Sequence, residues 1–335
     1  MNNFFSLIIC TYNRSISLRR LLDSVKSQTK RFDEIIVVDA SENEFHQLMT
    51  ALMKDWPSIH YHHVNDKNKG LTKQRNFGVS LIHPDSTHTT FLDDDLVLDA
   101  DFLLCIEKAF ANQPDAIGIS GLDMVENRYF KPEDPTVFGS LRFYRLGDWV
   151  IKDPLRYILR KIFGLMSDYP PEIIPPYGHG RNGYPPDGNI YPVDHIMGGI
   201  ATYQSWIFQH ISFSERFTGY GLYEDFDFSV RASAFGNLYV NTNAKVHHHH
   251  DPSGRPNYIR YGRMVVRNGW YVWRVKHPDP TLSNKMKWHA ITLLLALFLL
   301  ISAFTTLKFK RFLFEFIGRL YGWFSLFFIS PIKRL

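Results

Sequence analysis

Three consecutive carboxylates, Asp93, Asp94 and Asp95, follow the β-prone run Thr89-Thr90-Phe91-Leu92. Adjacent acids repel one another and favour no regular element. They make sense where a strand delivers them to a sheet edge and a cation neutralises them. In extended backbone Asp93 and Asp95 point to one side and Asp94 to the other. Two carboxylates on one side suit a hard divalent ion that keeps open positions for phosphate oxygens; a solvated acidic turn is the alternative. A second acidic group, Glu224-Asp225-Phe226-Asp227, opens a predicted helix. Acids in a first turn suit the helix dipole.

These residues need elements that position them. The sequence predicts strands over residues 4–10, 34–39, 59–63, 88–92, 116–119, 238–240 and 244–248. It predicts helices after Asn13 or Ser15, over 43–54, over 69–82 opening at Gly70, and over 99–110, 206–211, 224–235 and 257–276. Leu18, Leu21, Leu22 and Val25 form the apolar stripe of the first helix. Strand and helix alternating at this spacing imply an α/β fold with a parallel sheet and crossover helices. Such sheets bind ligands at the carboxyl ends of their strands, where Thr11, Asp39 and the three acids all fall.

Residues 127–195 break the pattern. They are crowded with Pro, Gly and Tyr and predict a long excursion with little regular structure. Its tyrosines can stack on sugar faces, which suggests an acceptor-binding loop. Arg260, Arg263 and Arg267 fall on one face of the helix over 257–276, which we take as solvated or phosphate-facing.

Composition narrows the class. The 335 residues are 45% hydrophobic and 21% charged, as in a globular chain. Two cysteines, Cys10 and Cys105, without motif spacing argue for a reducing compartment and against a disulfide scaffold or cysteine zinc site. The first residues carry no basic region ahead of an apolar run, so no secretory signal is expected. The net charge is +5, yet residues 271–335 alone hold ten Lys/Arg against two acids. The basicity therefore belongs to the C-terminal tail, and no nucleic-acid partner is expected. The tail is also apolar. Residues 291–307 carry no charge, and 312–332 carry only Glu315 and Arg319, with Lys308, Lys310 and Arg311 between. This points to a membrane surface, with interfacial or re-entrant attachment favoured over crossing. A helical hairpin packed on the protein itself is the alternative.

With these pieces in order, the chain resembles the family 2 glycosyltransferases of GT-A fold, non-processive bacterial type. The opening Ser6-Leu7-Ile8-Ile9-Cys10-Thr11-Tyr12-Asn13-Arg14, Val37-Val38-Asp39-Ala40-Ser41, Lys69-Gly70-Leu71-Thr72-Lys73-Gln74-Arg75-Asn76, the D-x-D of Asp93 to Asp95, and Gly198-Gly199 with Gly221-Leu222-Tyr223-Glu224-Asp225 carry the likeness. It covers about residues 4–125 and 195–275. It implies a metal-dependent inverting transfer of sugar from a nucleotide-diphosphate sugar to a hydroxyl of a glycan or lipid-linked acceptor. The setting would be cell-surface glycan synthesis at the cytoplasmic face of the membrane. It implies Asp95 as ligand to Mg²⁺ or Mn²⁺, with Asp93 assisting. Asp39 and Thr11 would hold the nucleoside, and Arg75 would face the base or phosphates. Asn13, Arg14, Lys69, Gly70 and Asp94 would complete the donor site, Asp94 in a structural role. Asp225 would be the general base, with Glu224 the less favoured choice. One histidine of the run 247–250 would join the metal. Counting back from Pro252-Ser253-Gly254 favours His248 over His247.

The likeness implies a catalytic domain over 1–275, with a donor half to residue 98, an acceptor half beyond it, and a membrane-associating tail over 276–335. No Gln-x-x-Arg-Trp motif of processive synthases is present, so addition of one or a few sugars is expected. A nucleotidyltransferase on a related sheet would want a glycine-rich first loop, which residues 11–14 lack. A non-catalytic sugar-nucleotide-binding scaffold is disfavoured by the intact acidic groups.

Overall fold

The computed structural model describes residues 3–251 and 256–328; Pro252-Ser253-Gly254 and the tail beyond 328, with Lys333 and Arg334, lie outside the described residues. In chain order come β1 (Phe5–Thr11), α1 (Ser15–Lys26), β2 (Glu34–Asp39), α2 (Asn43–Met53), β3 (His60–His63), α3 (Leu71–Val79), β4 (His88–Asp93), β5 (Leu96–Leu98), α4 (Phe102–Asn112) and β6 (Ala116–Asp123). Next are β7 (Phe143–Leu146), β8 (Trp149–Lys152), α5 (Leu155–Ile162), β9 (Ile190–Val193), β10 (Ile200–Gln204), α6 (Glu224–Ala232) and β11 (Asn237–His248). Helices α7 (Tyr258–Lys276), α8 (Leu282–Thr305) and α9 (Phe309–Ser325) follow.

Two compact units result, Met1–Asn127 with Pro186–Arg255 and Arg128–Pro185 with Pro256–Leu335. The long excursion thus groups with the C-terminal helices. The division also differs from the boundary expected at 275, because α7 packs along α9.

The first unit holds a sheet of order β3-β2-β1-β4-β10-β6-β11-β5, with β9 on β11. Strands β3, β2, β1 and β4 are parallel, as the alternation predicts. Beyond them β10 runs antiparallel to both β4 and β6. β1 and β2 are apolar throughout their middles because helices cover both faces of a parallel sheet. The predicted stripe of α1 is buried in full. Register does the functional work. Thr11 lies opposite Asp39, and Cys10 opposite Asp93, so three strand ends meet.

Three local expectations change. Residues 206–211 make only a short 3-10 turn, Ser205–Gln209, after β10. The strands expected over 238–240 and 244–248 are one strand, β11, with a register shift between Val240 and Lys245. The polar Asn241 and Thr242 that interrupt its apolar pattern are bonded inside, to Cys105 O and to Asn189 O. The excursion is more regular than expected, holding the β7–β8 hairpin and α5. Buried Arg181 donates twice to Asp153, at 2.5 and 3.1 Å, and pins it.

The second unit inverts the usual pattern. α9 buries Glu315, Gly318, Gly322 and Ser325 and exposes Phe314, Ile317, Tyr321 and Phe324. A Cβ on Gly262 of α7 would collide with Glu315 O, and one on Gly318 with Ile259 O. The two backbones therefore touch, as small-residue helix pairs do in membranes. Arg263 lies over the Tyr321 ring at 5.0 Å, and Arg267 donates to Ser325 Oγ at 2.7 Å. That corrects the expected solvated or phosphate-facing stripe: two of its arginines face α9. α8 buries one face, Trp288, Ile291, Thr292, Ala296 and Leu299, and exposes Leu297, Ile301 and Phe304 on the other.

Candidate active site

β4 ends at Asp93, and a tight turn through Asp94 and Asp95 leads into β5. The antiparallel pairing of β5 and β11 sets Leu96 opposite His248. That brings His248 Nε2 to 2.9 Å from Asp95 Oδ1. The Asp251 N–H donates to Asp95 Oδ2 at 2.8 Å. Asp93, Asp95 and His248 place one ligand atom each within 4.8 Å of one another. Strand alternation turns His247 the other way, with its Nε2 3.0 Å from Asp99. Burial works to raise the Asp95 carboxyl, but His248, the Asp251 N–H and Arg14 outweigh it and bring it down to about 2. Burial likewise works to lower His248, and the Asp95 hydrogen bond overrides it and raises the imidazole. Two carboxylates and one imidazole, with the Asp93 side chain 38% exposed, fit a divalent cation that also needs outside ligands.

Asp94 does point away. It is buried and accepts from Thr11 Oγ1 at 2.7 Å and Arg14 Nη1 at 2.9 Å. Burial pushes its carboxyl up to about 7. Arg14 also stands 3.6 Å from Asp95 and 3.8 Å from Asp251, so one guanidinium neutralises three acids.

Beside these strand ends a cleft of about 570 Å³ opens, lined by Ala40, Ser41, Phe45, His63, Asn65 and Lys69 among others. Asp39 lies behind it, fully buried. It accepts from the Ser41 N–H at 2.8 Å, the Ser41 hydroxyl and the Tyr61 hydroxyl at 2.6 Å. Thr11 and Asp39 thus spend their side chains on internal bonds. Asn13 adopts φ 59°, takes the Glu42 N–H at 2.9 Å and gives its own N–H to Ser41 Oγ. Lys69 Nζ stands 4.7 Å over the Tyr12 ring. Gly70, at φ 117°, starts α3 against the Gly219 backbone.

On the other side of Asp93, Gly198 and Gly199 make the approach that any side chain would block. A Cβ on Gly199 would strike the Asp93 carboxylate; one on Gly198 would come within 2.8 Å of Asp225 Cβ and Glu224 Oε1. Asp225 and Asp93 therefore flank a single Gly-Gly step, whose Cα atoms are about 3.8 Å apart. Asp225 is half-buried and accepts only backbone N–H groups among the described contacts, from Phe226 at 2.9 Å and Gly198 at 3.2 Å. Glu224 is buried and bonded to Arg75; burial pushes its carboxyl up against the pull of Arg75. Arg75 lies between the rings of Phe91 and Phe213, at 5.6 and 5.3 Å, and 3.6 Å from Asp93. At 3% exposure it faces the acids rather than the cleft, a change from its expected place at base or phosphates. Sequence reasoning missed Tyr61 and Asp251, and gave Ser41 no role although it closes the Val37–Ser41 segment. Nothing local marks Tyr61 or Asp251, and β5, which pairs β11 beside Asp95, is a three-residue strand too short to predict.

Residues 6–166 match the Glycosyl transferase family 2 description. A glucosyl-dolichyl phosphate glucuronosyltransferase of Haloferax volcanii is 30% identical over 133 residues, 38% of this chain and 41% of that protein. The crystal structure of GalNAc-T7 with UDP, GalNAc and Mn²⁺ superposes with TM-score 0.50 at 17% identity, over 78% of this chain and 47% of that one. Staphylococcus aureus TarS gives 0.47 at 15% identity, over 88% and 43%. The chain spans less than half the length of these relatives.

Proposed function

We infer that the chain is a family 2 glycosyltransferase, the family whose description residues 6–166 match, and we propose a metal-dependent, inverting transfer of sugar from a nucleoside-diphosphate sugar to a hydroxyl acceptor. The observation that carries the proposal is the Gly198-Gly199 step, which touches Asp225 on one side and Asp93 on the other. The donor's nucleoside would occupy the cleft beside Ser41, His63 and Lys69. Asp93, Asp95 and His248 would hold Mg²⁺ or Mn²⁺. A bound cation there supplies charge for the departing diphosphate. Asp225 takes the acceptor's proton as the new bond forms, and a single base opposite the leaving group means inversion. Glu224, tied to Arg75, orients its neighbour and is not itself the base.

The second unit supports a membrane setting. Its outward phenylalanines and the basic residues Lys308, Lys310 and Arg311 at the α8–α9 turn suit an anionic leaflet. We therefore favour a lipid-linked acceptor on the cytoplasmic face, in cell-surface glycan synthesis. The test is a donor and acceptor screen with purified protein, run beside Asp95→Asn and Asp225→Asn. Each substitution should reduce turnover by at least about a hundredfold, the scale of a lost general base, while the fold is retained. Wild-type turnover in either variant would remove the assignment.

A further inference from the structure

β11 does not stop using its histidines at His248. The chain leaves the strand through His249 and turns back at His250, whose φ of 51° is left-handed, a conformation non-glycine residues rarely adopt. That turn lays the His250 ring against His248, with ring centres 4.1 Å apart. It also sets His250 Nε2 3.0 Å from Glu126 Oε1. On its other edge His248 presents Nδ1 4.0 Å from Asp123 Oδ2. Asp123 is held in place because its Oδ1 accepts the N–H groups of Val125 and His248. Asp123, His248 and His250 each bring a ligand atom within 4.8 Å of the others. His250 Nε2 is shielded from solvent, with Glu126 Oε1 as its near neighbour.

We propose that Asp123, His248 and His250, with Glu126 as a fourth donor, form a second cation site selective for zinc-like transition metals, sharing the His248 imidazole with the Asp93/Asp95 set. The donor chemistry sets the selectivity. Two imidazoles and one or two carboxylates are a tetrahedral zinc set, whereas Mg²⁺ prefers oxygen and keeps its waters. The left-handed turn at His250 is the backbone cost of closing the site. Sharing sets the consequence. His248 turns Nδ1 to Asp123 and Nε2 to Asp95, so zinc held on Nδ1 would leave the proton on Nε2, and the imidazole could not also bind Mg²⁺ or Mn²⁺ at Asp93 and Asp95; zinc then inhibits the transfer that those ions support. The inhibition rests on the transferase reading; the site itself rests only on these four residues.

The experiment therefore reads binding before activity. Zn²⁺ alone is titrated into the full chain by equilibrium dialysis, and Co²⁺ is used as a probe for the visible absorption of tetrahedral coordination. Mn²⁺ binding is followed separately by electron paramagnetic resonance. His250→Ala and Asp123→Asn should each weaken Zn²⁺ at least tenfold and abolish the tetrahedral Co²⁺ spectrum, leaving Mn²⁺ affinity within twofold. His249→Ala should leave both unchanged. Wild-type Zn²⁺ affinity in His250→Ala, or loss of it in His249→Ala, overturns the proposal. If Zn²⁺ binds as expected but no Mn²⁺ site or transfer is found, the transferase reading fails and the zinc site stands. Where transfer is measured, micromolar Zn²⁺ should inhibit the wild type and spare His250→Ala.

Discussion

In the first unit the buried charged groups, Asp94, Asp95, Arg75 and Glu224, lie among strands and helices whose leucines, isoleucines and phenylalanines point inward. In α9 the buried positions are Glu315, Gly318, Gly322 and Ser325, while Phe314, Ile317 and Phe324 face out. Both regions therefore bury polar atoms, under different pressures. Beside the sheet, charge is desolvated to hold a site, and each carboxylate has a counter-ion or hydrogen bond that makes burial tolerable. Along α9, small and polar positions are inside because close backbone packing against α7 needs them there. The lesson is that burial of a polar group has meaning only against what covers the opposite face.

The contrast breaks most severely at Arg75. Its guanidinium serves Glu224 and Asp93 together. Arg75→Met keeps the stacking volume between Phe91 and Phe213 but strands a buried carboxylate. We expect a loss of about 3–5 kcal/mol, seen as a lower urea midpoint, with transfer abolished. Arg75→Lys should recover part of the stability and little of the transfer, because one ammonium cannot reach both acids in a fork. Equal stability of Arg75→Met and wild type would mean that the pair contributes nothing.

The next effect tests α9. A side chain at Gly318 meets the Ile259 carbonyl, which belongs to backbone and cannot rotate away. Gly318→Leu should cost about 3 kcal/mol, the upper range for overpacking, and should separate α7 from α9. Gly139→Ala, with open space around the added methyl, should stay within about 0.5 kcal/mol. Hydrogen exchange along α7 distinguishes the two.

A smaller effect returns to the proposed metal ligands. In the cation-free protein Asp95 titrates at about 2, below its unfolded value of about 3.9. Its contribution, about 2 kcal/mol, is present above pH 4 and is lost as pH falls toward 2. The raised His248 behaves in the opposite sense. Its contribution is complete below about pH 6.5 and is lost as pH rises through its folded value. Mn²⁺ must displace that proton, so Mn²⁺ affinity should rise with pH over the interval in which cation-free stability declines. Denaturant midpoints in EDTA and Mn²⁺ titrations across pH 5 to 8 should diverge; parallel trends would separate His248 from the site.

The parallel half of the sheet and the acid-bearing strand ends were legible because hydrophobic runs ending in Thr11, Asp39 and Asp93 are local patterns. The side-chain direction of Asp94 follows from the two-residue period of strands; that period says only that one of His247 and His248 faces the site, and the preference for His248 rests on its distance from Pro252-Ser253-Gly254 under the family resemblance. What stayed hidden was set by distant pairing. Nothing near Arg75 shows that Glu224 will reach it; its expected place at base or phosphates rests on the family resemblance alone. The arginines of α7 read as a solvated or phosphate-facing stripe for the same reason, since their partners Tyr321 and Ser325 lie more than fifty residues on. The inverted face of α9 was half legible. Its apolar run was plain, but which side would be buried depended on Gly262 meeting Glu315.

The smallest effect in stability separates the two regions most directly. Phe324 is 55% exposed, so Phe324→Ser removes little packing and should change the denaturant midpoint by less than about 0.5 kcal/mol. Leu18→Ser, in the buried stripe of α1, should cost more than about 3 kcal/mol, since it loses an apolar side chain and buries a hydroxyl. Vesicle binding should rank the pair the other way. Phe324→Ser removes an aromatic ring from the face that would meet lipid, and flotation with vesicles containing phosphatidylglycerol should fall several-fold. Folded Leu18→Ser protein should float as the wild type does. If Phe324→Ser floats normally and Gly318→Leu still destabilises, the outer face of α9 meets a partner other than lipid. If Phe324→Ser is destabilised like Leu18→Ser, the phenylalanine is covered by protein, and the inversion along α9 is only apparent.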